Sequence, residues 1–124
     1  MANTPSGFAY PFINFSAIRE ININNTPRMI FGSQYLSKVS DLVVTNMADL
    51  VSKYTLYILS EVSPGKTIEA VVHNELSVTN KGNLYFPDLV ITLSPGELLY
   101  AYSDASNKPI NITGSAIEYK EIGG

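Results

Sequence analysis

Short apolar strands separated by turn residues recur along the chain, and this recurrence constrains the possible folds most. Runs rich in Val, Ile, Leu and Tyr are each followed by Gly, Pro or Asn, at intervals of roughly 8 to 12 residues. Such spacing is typical of an antiparallel sandwich or barrel. The best helical candidate, residues 47–53, allows a single turn. The sequence therefore predicts an all-β protein, an antiparallel β-sandwich that is jelly-roll-like.

Alternation of apolar and polar residues places the strands and their buried faces. We predict strands over residues 18–23, 29–31, 36–46, 52–59, 67–72, 89–93, 98–103 and 110–119. The strands 36–46 and 52–59 are predicted to form an antiparallel hairpin. The predicted core comprises Leu42, Val44, Leu56, Ile58, Leu89, Ile91, Leu93 and Ile112. We also expect Gly96 and Gly114 to occupy positions where a side chain would disturb the backbone or a neighbour.

The N-terminal segment contains four aromatic side chains but no helical period. Three of them alternate, from Phe8 to Phe12, as a strand would place them on one side. We divide the chain into an N-terminal arm, residues 1–17, and a single β-sandwich domain, residues 18–124. Two interpretations stay open: a strand packed under its own sandwich, or an arm that binds a neighbouring subunit. In the second, the partner-binding residues are Phe8, Tyr10, Phe12 and Phe15.

Composition and charge narrow the function classes. A chain of 124 residues is expected to hold one domain, and it has no cysteine for a disulfide, a thiolate metal site or a nucleophile. Its net charge of −3 argues against a nucleic-acid partner held by phosphate contacts. Without a long apolar run or a signal sequence, we expect no membrane partner and synthesis in a cytoplasm. Only 15% of the residues are charged, which is below the usual quarter and suggests that much of the surface faces other protein.

The sequence offers no constellation of residues for catalysis. His73 has no second histidine or thiolate to complete a metal site, and we expect it on the surface or at a strand end. The carboxylates are spread singly through strands and turns, and Gly65-Lys66-Thr67 lacks the first glycine of a phosphate loop. We therefore predict that the protein is not an enzyme and needs no cofactor and no metal. Eight tyrosines without tryptophan favour packing over a sugar-binding platform.

Three segments with strand and turn character follow one another between Val39 and Glu118. They read LVVTNMADLVSKYTLYIL, HNELSVTNKGNLYFPDLVITLSPGELLYAY and SNKPINITGSAIE. Together they resemble a group of small all-β virion proteins of tailed bacteriophages, which decorate or cement the capsid and have relatives in necks and tails. The chain departs from that pattern by Glu97, where aspartate is common, and by its long N-terminal segment. None of the matched segments is catalytic, so the resemblance concerns the fold more than the role.

The resemblance implies a non-enzymatic structural protein of the virion, located on the capsid surface. Its expected partners are the major capsid protein and further copies of itself, as a homotrimer at a three-fold position of the shell. A protein of the neck, tail or baseplate is one alternative, which would close into a ring around the tail axis. A carbohydrate-binding sandwich used in host adhesion is the other. It requires Tyr and Asn side chains to converge on a groove.

Overall fold

The computed structural model describes the backbone of residues 11–121 and the side chains of residues 13–120. Over this range the chain forms nine strands and no helix. The strands are β1 (Pro11–Ile23), β2 (Arg28–Gly32), β3 (Leu36–Asn46), β4 (Ser52–Ser63), β5 (Lys66–Val78), β6 (Asn83–Phe86), β7 (Ile91–Leu93), β8 (Leu98–Ser103) and β9 (Ile110–Glu121). In the same range no helical segment is long and apolar enough to span a membrane.

The strands form two sheets in which every pair is antiparallel. Sheet I has the order β1-β9-β3-β6, and β7 also pairs with β3. Sheet II has the order β2-β8-β4-β5. Buried residues of both sheets form one apolar cluster, as expected when two sheets pack face to face. The predicted all-β antiparallel sandwich is confirmed.

The core contains most of the side chains that alternation predicts. Among the predicted residues, six are buried: Leu42, Val44, Leu56, Ile91, Leu93 and Ile112. The other two, Ile58 and Leu89, are half-buried and pack against this cluster. For these two residues the predicted contact with the core is correct, but the predicted full burial is not.

The predicted hairpin between β3 and β4 is wrong, because the two strands lie in different sheets. Residues 47–51 cross from sheet I to sheet II instead of turning back within one sheet. At the start of this crossing, the buried Asn46 donates from Nδ2 to the carbonyl of Leu50 at 2.7 Å and accepts at Oδ1 from the amide of Ala48 at 2.9 Å. Strand alternation fixes which side chains are buried, but it carries no information about which strand is the neighbour.

The N-terminal strand begins earlier than its predicted start at residue 18. β1 runs without interruption from Pro11 to Ile23 and pairs with β9 from the pair Pro11–Glu121 onward. The predicted boundary between the arm and the sandwich therefore falls inside β1. Two other strands are longer than predicted, since β4 extends to Ser63 and β5 to Val78. In addition, β6 forms where no strand is predicted.

The two predicted glycine constraints are confirmed, each by a different mechanism. Gly96 has φ of +86°, in the left-handed region that favours glycine, within the turn between β7 and β8. Gly114 lies on β9, where a Cβ atom would stand 2.8 Å from Leu42 Cδ2 and 3.0 Å from the carbonyl oxygen of Ser40. A side chain at position 114 would collide with both the core and a neighbouring backbone.

Candidate functional site

An exposed phenylalanine stands on the outer face of sheet I. Phe15 is 74% exposed although it lies within a regular strand. Directly paired residues of antiparallel strands point to the same face, and Phe15 pairs with Ile117 of β9. The neighbouring row consists of Ile13, Tyr119 and Leu36, which are paired in that order across β1, β9 and β3. We call these five residues the Phe15 face.

The Phe15 face is apolar at its centre and has a lysine at its border. Ile13 and Leu36 are exposed, whereas Ile117 and Tyr119 are half-buried. Lys38, which pairs with Ile117, places its Nζ 5.8 Å from the centroid of the Tyr119 ring. Contiguous exposed apolar residues with a polar border are typical of a protein-binding surface.

The four predicted partner-binding residues fall into three groups. Phe8 and Tyr10 lie outside the described residues. Phe12 lies on β1 opposite Lys120, but its side chain is also outside the described range. Phe15 is the member whose side chain the structure describes, and it points to solvent. That these four residues bind a partner together stays a prediction.

A second candidate surface is a polar groove at one end of sheet II, which we call the Tyr102 groove. Its volume is ≈ 380 Å³. It is lined by Asn25, Lys53, Thr55, Asn74, Glu75, Tyr102, Ser103 and Asp104. These residues come from the β1–β2 loop, from β4 and β5, and from the end of β8. The groove was not predicted, because its residues are far apart in the sequence.

A bulge in β5 forms one wall of the groove. Between the pairs Tyr54–Leu76 and Leu56–His73, β5 has one residue more than β4. Glu75 lies in this bulge with φ of +48°, a left-handed conformation that is uncommon for a residue other than glycine. Its amide donates to the buried Thr55 hydroxyl oxygen at 3.3 Å. Bulges redirect side chains, and this one brings residues 74 and 75 to the groove.

Tyrosine rings connect the groove to the rest of the outer face of sheet II. Tyr57 contacts Tyr102 edge to face, with 6.1 Å between ring centroids, and stacks on Tyr100 at 5.8 Å. Met29 pairs with Tyr100, and Val71 pairs with Tyr57, so the row ends in exposed apolar side chains on both sides. The sequence predicts that the tyrosines pack in the sandwich or at a subunit contact. Tyr54 and Tyr57 are buried, whereas Tyr100 and Tyr102 are half-buried on the outer face.

His73 lies between the sheets, so its predicted place on the surface or at a strand end is wrong. A second irregularity of β5, between the pairs Leu56–His73 and Tyr57–Val71, turns His73 inward. Its Nδ1 is 2.8 Å from the Tyr54 hydroxyl, and its ring centroid is 4.6 Å from that of Phe86. Burial lowers the pKa of His73 and raises the pKa of Tyr54. This hydrogen bond between Tyr54 and a neutral His73 links β4 to β5.

The described residues contain no cluster of three or more His, Asp or Glu side chains that could hold a metal ion.

The carboxylates of Glu97 and Glu118 accept hydrogen bonds from neighbouring residues. Glu118 accepts from Ser33 and Asn14, and Glu97 accepts from Ser60 and from the amide of Ser94. These hydrogen bonds hold the pKa of each carboxyl below its ordinary value. Both carboxylates are therefore stabilised in the charged form and fasten loops to strands.

Comparison with known proteins gives fold relatives. Neither any protein-family model nor any curated protein matches the sequence. A Bacillus endospore appendage subunit, described as forming disulfide-linked pili, aligns with a TM-score of 0.53 at 13% identity, over 97% of this chain and 96% of its own. The xylan-binding domain CBM22-1 of Xyn10C from Paenibacillus barcinonensis aligns with a TM-score of 0.51 at 11% identity, over 90% of this chain and 84% of its own. A pentameric capsid protein from metagenomic phage sequences aligns with a TM-score of 0.48 at 16% identity, over 86% and 64%. At these identities the likeness to the appendage subunit and to the xylan-binding domain is one of fold.

Proposed function

We propose that this chain is a non-enzymatic structural protein of a phage virion that decorates and cements the capsid by binding the outer surface of the major capsid protein. The observation that carries the proposal is the Phe15 face, where a phenylalanine that is 74% exposed continues into an apolar row across three strands. The sequence resemblance between Val39 and Glu118 supports the virion location. The fold shared with a pilus subunit agrees with a role in assembly.

The energetics of the Phe15 face suit a contact made by many copies. Burying one aromatic side chain removes about 150 to 250 Å² from water, which corresponds to about 4 to 6 kcal/mol before the costs of association. Association itself costs about 4 to 15 kcal/mol, so Phe15 alone gives weak attachment. The flanking Ile13 and Leu36 and the arm residues Phe8 and Tyr10 would supply the remainder. A homotrimer at a three-fold position would multiply each contact by symmetry.

The experiment is co-sedimentation of the purified chain with empty shells of the phage that encodes it, after removal of the native protein. We expect the wild-type chain to saturate the shells and Phe15→Ser to lose attachment while it keeps its melting temperature. Val90→Ser is the matched control, because Val90 is also an exposed apolar residue but lies in the β6–β7 connection. Full occupancy by Phe15→Ser would overturn the assignment of the Phe15 face.

Symmetry separates the capsid from the neck, tail or baseplate. A capsid decoration protein occupies many equivalent sites over the head in micrographs of the virion, whereas a tail component forms a ring at one vertex or along the tail axis. Labelling of virions with an antibody against this chain distinguishes the two patterns. Signal at one vertex alone would replace the capsid assignment by the neck or tail alternative.

A further inference from the structure

We propose that the Tyr102 groove binds a neutral polysaccharide, a function beyond attachment to the capsid. The structure brings Tyr102, Asn25 and Asn74 to one groove from three separate elements. This is the convergence of Tyr and Asn side chains that a carbohydrate site requires and that the sequence alone leaves open. The Phe15 face belongs to sheet I and the groove to sheet II, so one copy can use both.

The chemistry of the groove matches the two kinds of surface on a sugar ring. The half-buried ring of Tyr102 offers an apolar face for the C–H side of a pyranose. Side-chain amides present one donor group and one acceptor group, and an ionised carboxylate presents two acceptor oxygens, which suits vicinal hydroxyls. Within the groove, the protein's own side-chain hydrogen bonds engage Asp104 and Thr55. The side chains of Asn25, Asn74 and Glu75 are exposed and face the remaining space.

The charges in the groove balance and give an anionic sugar no net attraction. Glu75, Asp104 and Lys53 line the groove, and Lys108 lies 3.8 Å from Asp104. The two carboxylates are thus matched by two ammonium groups, and no positive cluster faces the groove among the described residues that line it. A uronic acid, a sialic acid or a phosphate would have to compete with Glu75 and Asp104 for these ammonium groups, whereas a neutral sugar needs only the hydroxyl-binding groups.

The shape of the site favours a polymer over a free monosaccharide. At ≈ 380 Å³ the groove is at the small end of ligand pockets, so it holds only part of a sugar chain. Tyr100 lies two residues before Tyr102 on the same face of β8, and its ring is also half-buried. A sugar chain anchored beside Tyr102 can continue over Tyr100. The ligand class is thus a neutral glucan, mannan or xylan chain rather than a single hexose.

The test is affinity electrophoresis of the full chain in gels that contain soluble mixed-linkage β-glucan, galactomannan or arabinoxylan, with polygalacturonate as the anionic comparison. We expect at least one neutral polymer to retard the protein and polygalacturonate not to. Asn74→Ala and Glu75→Gln should each weaken binding about tenfold, which corresponds to about 1.4 kcal/mol. Both change exposed side chains, so the fold should persist even if Tyr102→Ala disturbs packing on Tyr57. Tyr85→Ala, at an exposed tyrosine on β6 of sheet I, is the matched control and should bind like the wild type.

The proposal is overturned if none of the neutral polymers binds, if polygalacturonate binds better than all of them, or if Asn74→Ala and Glu75→Gln bind as tightly as the wild type. Its failure is distinguishable from failure of the capsid assignment. Phe15→Ser should keep polysaccharide binding, and the groove variants should keep attachment to shells. A groove variant that loses both activities with its fold intact would show that sheet II is the capsid-binding surface instead.

Discussion

The side-chain amide of Asn46 donates to the backbone carbonyl of Val78 at 3.1 Å, across 32 residues of sequence. This bond joins the end of β3 in sheet I to the end of β5 in sheet II. The same Nδ2 lies 2.7 Å from the carbonyl of Leu50 and 3.2 Å from that of Thr79. Asn46 is fully buried. Its side chain therefore stabilises both the segment that crosses between the sheets and the end of β5, the strand that forms one wall of the groove.

Replacing Asn46 with alanine should destabilise the protein severely. Each buried polar group that is left without a partner costs about 1 to 3 kcal/mol. The substitution removes the hydrogen-bond partner of several backbone groups, among them the carbonyl of Val78 and the amide of Ala48. We expect the free energy of unfolding to fall by at least about 2 kcal/mol in urea titrations. Asn80→Ala, in the exposed β5–β6 turn, is the control and should change stability by less than about 0.5 kcal/mol. Equal effects of the two variants would contradict the role given to Asn46.

The depth of the β4 side chains can be tested by a pair of truncations. Leu56 is buried in the core, whereas Ile58 is half-buried and packs against the edge of the buried cluster. Leu56→Ala should cost about 2 to 5 kcal/mol, and Ile58→Ala clearly less. Both free energies come from chemical denaturation under the same conditions. A larger loss for Ile58→Ala would mean that the outer part of β4 is more buried than described.

The sequence predicts strands and buried faces well because both depend on local alternation. The buried positions Val44 and Ile112 follow from that pattern, as does the turn at Gly96. The choice of strand neighbours does not, because it depends on contacts between distant segments. β3 and β4 are consecutive strands, and in both the apolar and polar residues alternate clearly. They nevertheless lie in different sheets, and the hydrogen bonds of Asn46 stabilise the crossing between them.

The candidate surfaces differ in how far the sequence predicts them. The aromatic content of the N-terminal segment predicts a binding role for Phe15, although Phe15 lies outside the alternation from Phe8 to Phe12, and the structure places its side chain in solvent. The Tyr102 groove depends on an extra residue in β5, and Glu75 occupies a left-handed position that no glycine or asparagine signals. The predicted position of His73 is wrong for the same reason, because the irregular register of β5 turns its side chain inward. Bulges of this kind are specified by tertiary packing and leave little trace in a single sequence.

Alanine at the two constrained glycines should destabilise the protein to different extents. Gly114→Ala places a methyl group 2.8 Å from Leu42 Cδ2 in the buried core and 3.0 Å from the carbonyl oxygen of Ser40. Overpacking of this kind costs about 1 to 3 kcal/mol. Gly96→Ala meets no neighbouring atom and adds only the strain of its left-handed backbone, about 1 to 2 kcal/mol. Thermal unfolding of both variants checks the order, and an unchanged melting temperature for Gly114→Ala would contradict the close approach.

Mild acid should weaken the fold through His73. Burial lowers the pKa of His73 from its ordinary 6.5, so the unfolded chain binds the proton first as the pH falls. The free energy of unfolding should therefore be highest above pH 6.5 and should decrease below it, until the pH reaches the lower pKa of the folded state. Urea titrations at pH 7.5, 6.5 and 5.5 measure this slope. Glu97 and Glu118 have lowered pKa values, so their contribution is lost only at lower pH, below the ordinary 4.5.

His73→Gln is the control for this pH dependence. Glutamine does not titrate, and its side-chain oxygen can still accept from the Tyr54 hydroxyl. The variant should be less stable at pH 7.5, because the contact with Phe86 is lost, but its stability should change little between pH 7.5 and 5.5. If wild type and variant show the same slope, another group is responsible for the acid sensitivity.

Two N-terminal deletions should separate the arm from the strand. Deletion of residues 1–10 leaves all of β1 in place, so we expect near-native circular dichroism and an almost unchanged melting temperature. Deletion of residues 1–17 removes the backbone pairing of Pro11 to Ala17 with β9 and the hydrogen bond from Asn14 Nδ2 to Glu118 Oε1 at 2.9 Å. The shorter protein should still fold, because Ile18 and Ile23 remain in the core, but it should melt at a lower temperature.

The same two deletions divide the predicted binding residues. Removing residues 1–10 takes away Phe8 and Tyr10 and should weaken attachment to shells. Removing residues 1–17 also takes away Phe12 and Phe15, together with Ile13, and should abolish it. Phe15→Ser in the full-length chain shows how much of that loss comes from the exposed ring alone, because it leaves the pairing of β1 with β9 intact. If the deletion of residues 1–10 unfolds the protein, that segment belongs to the chain's own core and the arm interpretation is wrong. If the protein without residues 1–17 still saturates shells, neither the arm nor the Phe15 face is the anchor, and the exposed apolar ends of the tyrosine row on sheet II become the surface to test.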